Sequence, residues 1–260
     1  MAASPLPNIH VATLMQDGES LGIRPLKARS VVLSALLGFH PPLLPVRALV
    51  RIGQLFGISE GTIRVVLTRM VADGDVVADN GAYRLSGRLL ERQARQDESS
   101  SPHTRRWRRM WDMAIVTAPP RTLPDRVALR RSMAAFRLAE LREGVWLRPA
   151  NLVRERPATV DAQCTFFESR PEVDALDLAR SLWDLDTWAL KAGRLLAALD
   201  EATDLAEGFT VTAAVLRHLQ DDPILPPELL PDDWPASDLR ADYLRFNANY
   251  RLRLRDYSEA

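Results

Sequence analysis

The chain has 260 residues, 47% of them hydrophobic and 26% charged; that length allows two or three small domains, and the balance is ordinary for a soluble protein with real cores. Its one cysteine, Cys164, excludes an intramolecular disulfide and points to a cytoplasmic protein. No apolar run approaches the ~20 residues that span a membrane, and the first residues lack the basic start and long apolar stretch of a signal peptide.

The formal net charge of zero conceals an asymmetry. Residues 24–110 hold 15 Lys and Arg against 7 Asp and Glu, whereas residues 111–260 hold 19 against 25. A basic first third on a neutral chain suggests a domain that meets a polyanion, although arginine-rich helices are also simply well solvated.

Residues 1–23 have no sustained periodicity and are expected to form a loose arm. The spacing of Val31, Val32, Leu33, Ala35, Leu36 and Leu37 predicts a helix over 27–39, ended by Gly38 and His40-Pro41-Pro42 because proline cannot continue the ladder. A second amphipathic helix is predicted over 46–56. Gly57-Ile58-Ser59 then reads as a tight turn ending in an N-cap, since a serine hydroxyl takes an orphan backbone N–H. Over 59–71, Ile63, Leu67, Met70 and Val71 form one apolar stripe, and the opposite face carries Gly61, Thr62, Arg64, Val65, Thr68 and Arg69. Residues 76–85 read as two short strands around an Asn80-Gly81 turn. Helix, turn, helix and hairpin in that order predict a winged helix-turn-helix DNA-binding domain over 24–95. Helix is expected again over 89–95. The polar, breaker-rich run from Gln96 to Pro102 predicts a linker, placed at 96–104.

Within 105–170, strands are predicted over 111–117, 139–141, 145–147 and 163–168, with a helix over 124–137 that carries Pro124 in its first turn. That order fits a small ferredoxin-like α/β unit. Residues 171–260 predict a helical C-terminal domain, with helices over 177–188, 190–205, 209–219 and 237–257. Between the last two, residues 222–235 are too proline-rich for regular structure but apolar enough to be pinned to a surface. The predicted fold class is therefore α+β.

The solvent face of the helix over 59–71 supplies the DNA candidates. Arg64 and Thr68 lie one turn apart; a guanidinium fork can read guanine, and a threonine can touch a base or a phosphate. Ser59, Gly61 and Thr62 stand at the helix start, with Arg69 further along. Arg84 on the wing and Lys27 and Arg29 at the first helix are phosphate candidates. Arg105-Arg106-Trp107-Arg108-Arg109 interleaves base and aromatic; it suits either a backbone contact or a polar lead into the next strand with Trp107 half buried. The histidines, His10, His40, His103 and His218, are scattered without zinc spacing. Neither a nucleophile elbow nor a phosphate-binding glycine loop occurs, so no catalytic residue, metal or cofactor is assigned and the chain is not read as an enzyme.

Three stretches recur in one order over roughly 24–257. They are Phe56-Gly57-Ile58-Ser59 with Ile63-Arg64 and Arg69-Met70-Val71-Ala72-Asp73-Gly74; Gly144-Val145-Trp146-Leu147-Arg148-Pro149; and Asp222-Pro223 through Leu225-Pro226, Leu229-Leu230-Pro231 and Trp234-Pro235. Together they resemble the PaaX-type transcriptional regulators, repressors of aromatic-acid catabolism such as phenylacetate degradation. The pattern departs at Phe39-His40 and at Asp75, which bears on operator and effector more than on fold. The resemblance implies a winged-helix domain, a central ferredoxin-like domain of the kind seen in Cas2 proteins, and a C-terminal helical domain. It also implies a homodimer on double-stranded promoter DNA, released by an acyl-CoA or aromatic effector. Trp183 and Trp188, with Arg180 and Lys191 nearby, would line such a pocket, as would Trp146; each tryptophan equally suits a packed core. The Cas2 likeness makes Asp112 a metal-binding candidate, but one carboxylate does not hold catalytic Mg²⁺. The expected function is thus a sequence-specific regulator. A protein-interaction or scaffolding module and a Cas2-like nuclease stand as alternatives.

Overall fold

The computed structural model describes residues 21, 23, 26–119 and 122–259, so the expected arm at 1–23 lies almost wholly outside the described residues. The chain is α+β, with two small antiparallel sheets among many helices in the described residues. It forms two compact units: one draws on Met1–Ser100, Lys191–His218 and Asp238–Ala260, the other on Ser101–Leu190 and Leu219–Ser237. The stretch expected as a single helical domain, 171–260, is therefore shared between both units.

The first unit opens with α1 (Ala28–Gly38), β1 (Leu43–Pro45), α2 (Val46–Leu55) and α3 (Glu60–Ala72). The hairpin β2 (Val76–Asp79) and β3 (Ala82–Leu85) follows, then α4 (Arg88–Ser100). Val31, Val32, Ala35 and Leu36 of α1 meet Leu49 and Ile52 of α2 and Ile63, Leu67 and Met70 of α3 in one core. The α2–α3 approach depends on Gly53: a Cβ there would stand 2.6 Å from Ile63 Cγ1. Gly57, at φ 67°, makes the turn between the two helices. The hairpin turn holds Asn80 and Gly81 both at positive φ, as the twist of a two-residue loop requires. β1 joins β3 to give the order β1-β3-β2, a third strand that periodicity did not reveal.

Helix α4 continues to Ser100, so the linker expected from Gln96 onward begins instead as helix. The polar residues that read as breakers are used up locally. The Ser99 hydroxyl donates to the Arg95 carbonyl at 2.8 Å and that of Ser100 to the Asp97 carbonyl at 3.0 Å. Gln93 anchors the helix by donating to the Leu37 and Phe39 carbonyls.

In the second unit β4 (Trp111–Val116), β5 (Ala139–Arg142), β6 (Val145–Pro149) and β7 (Cys164–Ser169) form a sheet of order β5-β6-β4-β7, every neighbour antiparallel. Helix α5 (Leu123–Ala135) lies between β4 and β5 and α6 (Ala158–Asp161) between β6 and β7. Thr122 and Asp125 start α5 with a capping box. Ala114, Trp146 and Phe166 pack under Leu129, Met133 and Val160. Trp111, Met113 and Leu147 pack on the opposite face, against α7 (Ala175–Leu182) and Leu225 and Leu229.

The helix predicted over 177–188 is broken. Trp183 closes α7 in extended geometry, and Asp184 accepts the Thr187 N–H at 3.1 Å to start α8 (Leu185–Asp200). An aspartate in that position caps a new helix rather than continuing the old one. Helices α9 (Leu205–Gln220) and α10 (Ala236–Glu259) follow. In the first unit, Phe209 of α9 meets Phe56 edge-on at 5.5 Å and Tyr250 of α10 at 4.6 Å. The proline-rich stretch between these helices is irregular apart from a 3₁₀ turn at Pro227–Leu229, and Ile224, Leu225 and Leu229 are buried, the pinned form expected. The Arg148 guanidinium and the Asn151 amide both donate to the Ile224 carbonyl.

Candidate nucleic-acid interface

Helix α3 divides sharply between two faces. Ile63, Leu67 and Met70 are fully buried, whereas Gly61, Thr62, Arg64, Val65, Thr68 and Arg69 are exposed. Ser59 is the N-cap: its Oγ accepts the Thr62 N–H at 3.2 Å and lies 2.9 Å from Thr62 Oγ1. Thr68 donates to the Arg64 carbonyl at 3.0 Å, which leaves lone pairs of its hydroxyl oxygen facing out. Arg64 donates from Nε to Glu60 Oε1 at 2.7 Å. Both side chains are more than half exposed, so this i,i+4 pair contributes a few tenths of a kcal/mol and yields readily to a better anion. Val65, on the same face, is 50% exposed, an apolar surface between polar neighbours.

The phosphate candidates separate. Arg84 is exposed on β3, between Leu43 of β1 and Val77 of β2 in register. Lys27 is exposed at the N-cap of α1. Arg29, also exposed, is held by two carboxylates, Asp73 at 2.8 Å and the buried Asp75. The Arg29 partnership spans 46 residues of sequence and left no local signal.

Within the second unit the effector candidates lie on both faces of the sheet. Trp146 is buried in the core beneath α5. On the other face of the sheet Trp183 is half-buried and stacks on Trp111, while Trp188 is buried and stacks on Trp234 at 4.5 Å. Arg180 is exposed on α7 in the same unit; Lys191 is partly buried and belongs to the first unit.

Asp112 sits in register between Arg148 of β6 and Glu168 of β7. Burial holds its carboxyl above the usual carboxylate range, opposed chiefly by the charge of Arg148. This charged row borders a cavity of about 350 Å³ with Phe136, Arg154, Arg156 and Phe166 on its walls. Among the described residues no group of three or more His, Cys, Asp or Glu is placed to hold a metal ion, and no helix is long and apolar enough to cross a membrane.

A family model described as PaaX-like protein matches residues 27–89, the span from the start of α1 into α4. A solved structure, that of the uncharacterized protein Rv0674 from Mycobacterium tuberculosis, is similar over 90% of this chain and 99% of its own, with 47% identity and a TM-score of 0.78. This chain belongs to the PaaX-like family. Membership points to a transcriptional regulator, and the matched span contains the whole of α3 and the hairpin. The comparison with curated proteins returns no match.

Proposed function

We propose that this PaaX-like chain is a sequence-specific, DNA-binding transcriptional regulator, a homodimeric repressor whose α3 enters the major groove of promoter DNA. The observation that carries it is the division of α3: a buried apolar stripe fixes the helix while Gly61, Thr62, Arg64, Val65, Thr68 and Arg69 stand exposed. That face offers a fork for guanine, hydroxyls for either base edge or phosphate, and a methyl surface for thymine. Arg84 and Lys27 supply phosphate contacts that set register without reading sequence. In this proposal α2, α3 and the β2–β3 hairpin are a winged helix-turn-helix, which the helix order and the turn at Gly57 support. The central unit is ferredoxin-like, supported by its strand order and a helix in each crossover.

An acyl-CoA-type effector enters the proposal from the family resemblance, with Trp183 and Arg180 as the members of the expected set that have surface to offer. Such a ligand would shift the dimer away from a spacing that fits two half-sites about one DNA turn apart. By linkage, promoter DNA would weaken effector binding by the same factor. Fluorescence anisotropy with the chain's own promoter and a shuffled duplex, at ~150 mM salt, tests the core of the proposal. Preference for the promoter supports it; equal affinity for both overturns it and favours the interaction-module alternative. Metal-dependent cleavage of either duplex would instead favour the nuclease alternative.

A further inference from the structure

Between Glu98 and Asp112 the chain has no acidic residue and four arginines. The segment carrying them is irregular but firmly held. The Arg105 N–H donates to the Asn151 carbonyl at 2.7 Å, and its Nε donates to the Ala150 carbonyl at 3.0 Å. Trp107, buried, donates from its indole to the Met110 carbonyl at 2.7 Å and stands edge-on to Trp111. Arg109 holds φ 60°, the left-handed region that a non-glycine residue seldom adopts without a constraint. Trp107 is thus an anchor, and Arg105, Arg106, Arg108 and Arg109 are displayed to solvent around it.

Among the described residues Arg106, Arg108 and Arg109 have no hydrogen-bond or ion-pair partner. Arg105, Arg106 and Arg108 line a groove of about 830 Å³ in which the one carboxylate is Glu168. Arg106 and Arg109 also border a neighbouring hollow, but there Glu172, Asp174 and Glu228 offset them. The first groove is therefore the strongly positive side. Guanidiniums side by side repel, and among the described residues that line the first groove Glu168 alone offsets three of them. A duplex backbone, with one negative charge per ~1.7 Å of axis, supplies that balance.

We infer that this groove of the second unit, through Arg106 and Arg108, binds the phosphate backbone of duplex DNA as a contact surface additional to α3. The inference rests on the DNA-binding reading above. It makes the central unit a source of affinity without sequence preference, because guanidiniums on phosphates carry no base information.

The test uses the full chain and compares the salt dependence of promoter binding for the parent, Arg106→Ala/Arg108→Ala and Arg106→Lys/Arg108→Lys. Arg105 and Trp107 are left intact because they hold the segment. The alanine pair is expected to lower the slope of log affinity against log salt by about 2 and to bind about tenfold more weakly at ~150 mM salt. Base preference should be unchanged. The lysine pair keeps the charge and should keep the parent slope. Parent affinity and slope in the alanine pair overturn the inference while leaving promoter binding by the parent intact. A lysine pair as weak as the alanine pair also overturns it, by showing a structural role. If the parent itself does not prefer its promoter, the proposed function fails first and this inference fails with it. Melting temperatures read alongside expose any folding defect, in which case the lysine pair decides.

Discussion

Arg29 on α1 closes over the carboxylate of Asp75, a residue 1% exposed just beyond α3. The same guanidinium holds Asp73 at 2.8 Å, so one side chain ties the first helix to the end of the third. Removing it leaves a buried carboxylate without that cation, which costs more than the pair itself contributes. Because Arg29 is 44% exposed, water offsets part of the loss. Arg29→Ala should lower stability by about 2 kcal/mol in chemical denaturation. Weakened DNA binding with parent stability would instead return Arg29 to the phosphate contacts.

Gly53 governs how α2 meets α3. The nearest atoms to an added Cβ belong to Ile63, which is fully buried in the core shared by the two helices. Gly53→Ala should cost about 1–3 kcal/mol by overpacking and weaken promoter binding further, because α3 is displaced. Gly61→Ala, with nothing within 4 Å of its added Cβ, is the matched control and should leave stability unchanged or raised. Equal stabilities of the two variants would show that the α2–α3 approach is looser than the distance implies.

Arg64 and Val65 are adjacent on the exposed face of α3 and differ in what they can read. Arg64→Ala should cost about 1–3 kcal/mol on the promoter and relax preference at one G·C pair. Val65→Ser should relax preference at one A·T pair, through loss of contact with a thymine methyl, with folding stability within about 0.5 kcal/mol of the parent. Arg84→Ala should weaken all duplexes alike. Selection from a randomised duplex library separates the three, and an unaltered motif for both α3 variants would mean that another face meets the bases.

Asp112 provides a test by pH. Burial raises its carboxyl in the folded state. A group raised in this way favours folding fully below its unfolded value and loses that contribution as pH rises through the folded value. At pH 7 the ionised carboxylate therefore weighs against the fold. Asp112→Asn should melt higher than the parent at pH 7, and the gain should shrink as pH is lowered towards 4. A gain that grows on acidification contradicts the assignment.

The elements of the first unit were legible because their signals are local. The stripe of Ile63, Leu67 and Met70, the Ser59 cap and the Asn80-Gly81 turn all lie within a few residues of what they determine, although Val71, expected in that stripe, is 40% exposed. The exposed face of α3 followed from the same register. What stayed hidden depends on distant partners. β1 is three residues long and exists through its pairing with β3. The end of α4 looks like linker until Gln93 finds carbonyls more than 50 residues away. The break at Trp183 was masked because apolar spacing runs on across it, while a single aspartate restarts the helix. The sharing of 171–260 between two units likewise rests on long-range packing, such as Phe209 on Phe56, that no window of sequence contains.

That packing has a consequence for how the chain is made. The core around Val31 and Leu36 is completed by Phe209 and Tyr250, both far downstream of α1 in the sequence. A ribosome delivers α1, α2 and α3 early and their last core residues only after the strands β4 to β7 have been made. The unit synthesised first is thus finished last, and until then the nascent chain carries Phe56 without its ring partner and apolar surface for a chaperone to hold. A premature stop ahead of Tyr250 would yield, in place of a shorter regulator, a chain prone to aggregate and be degraded.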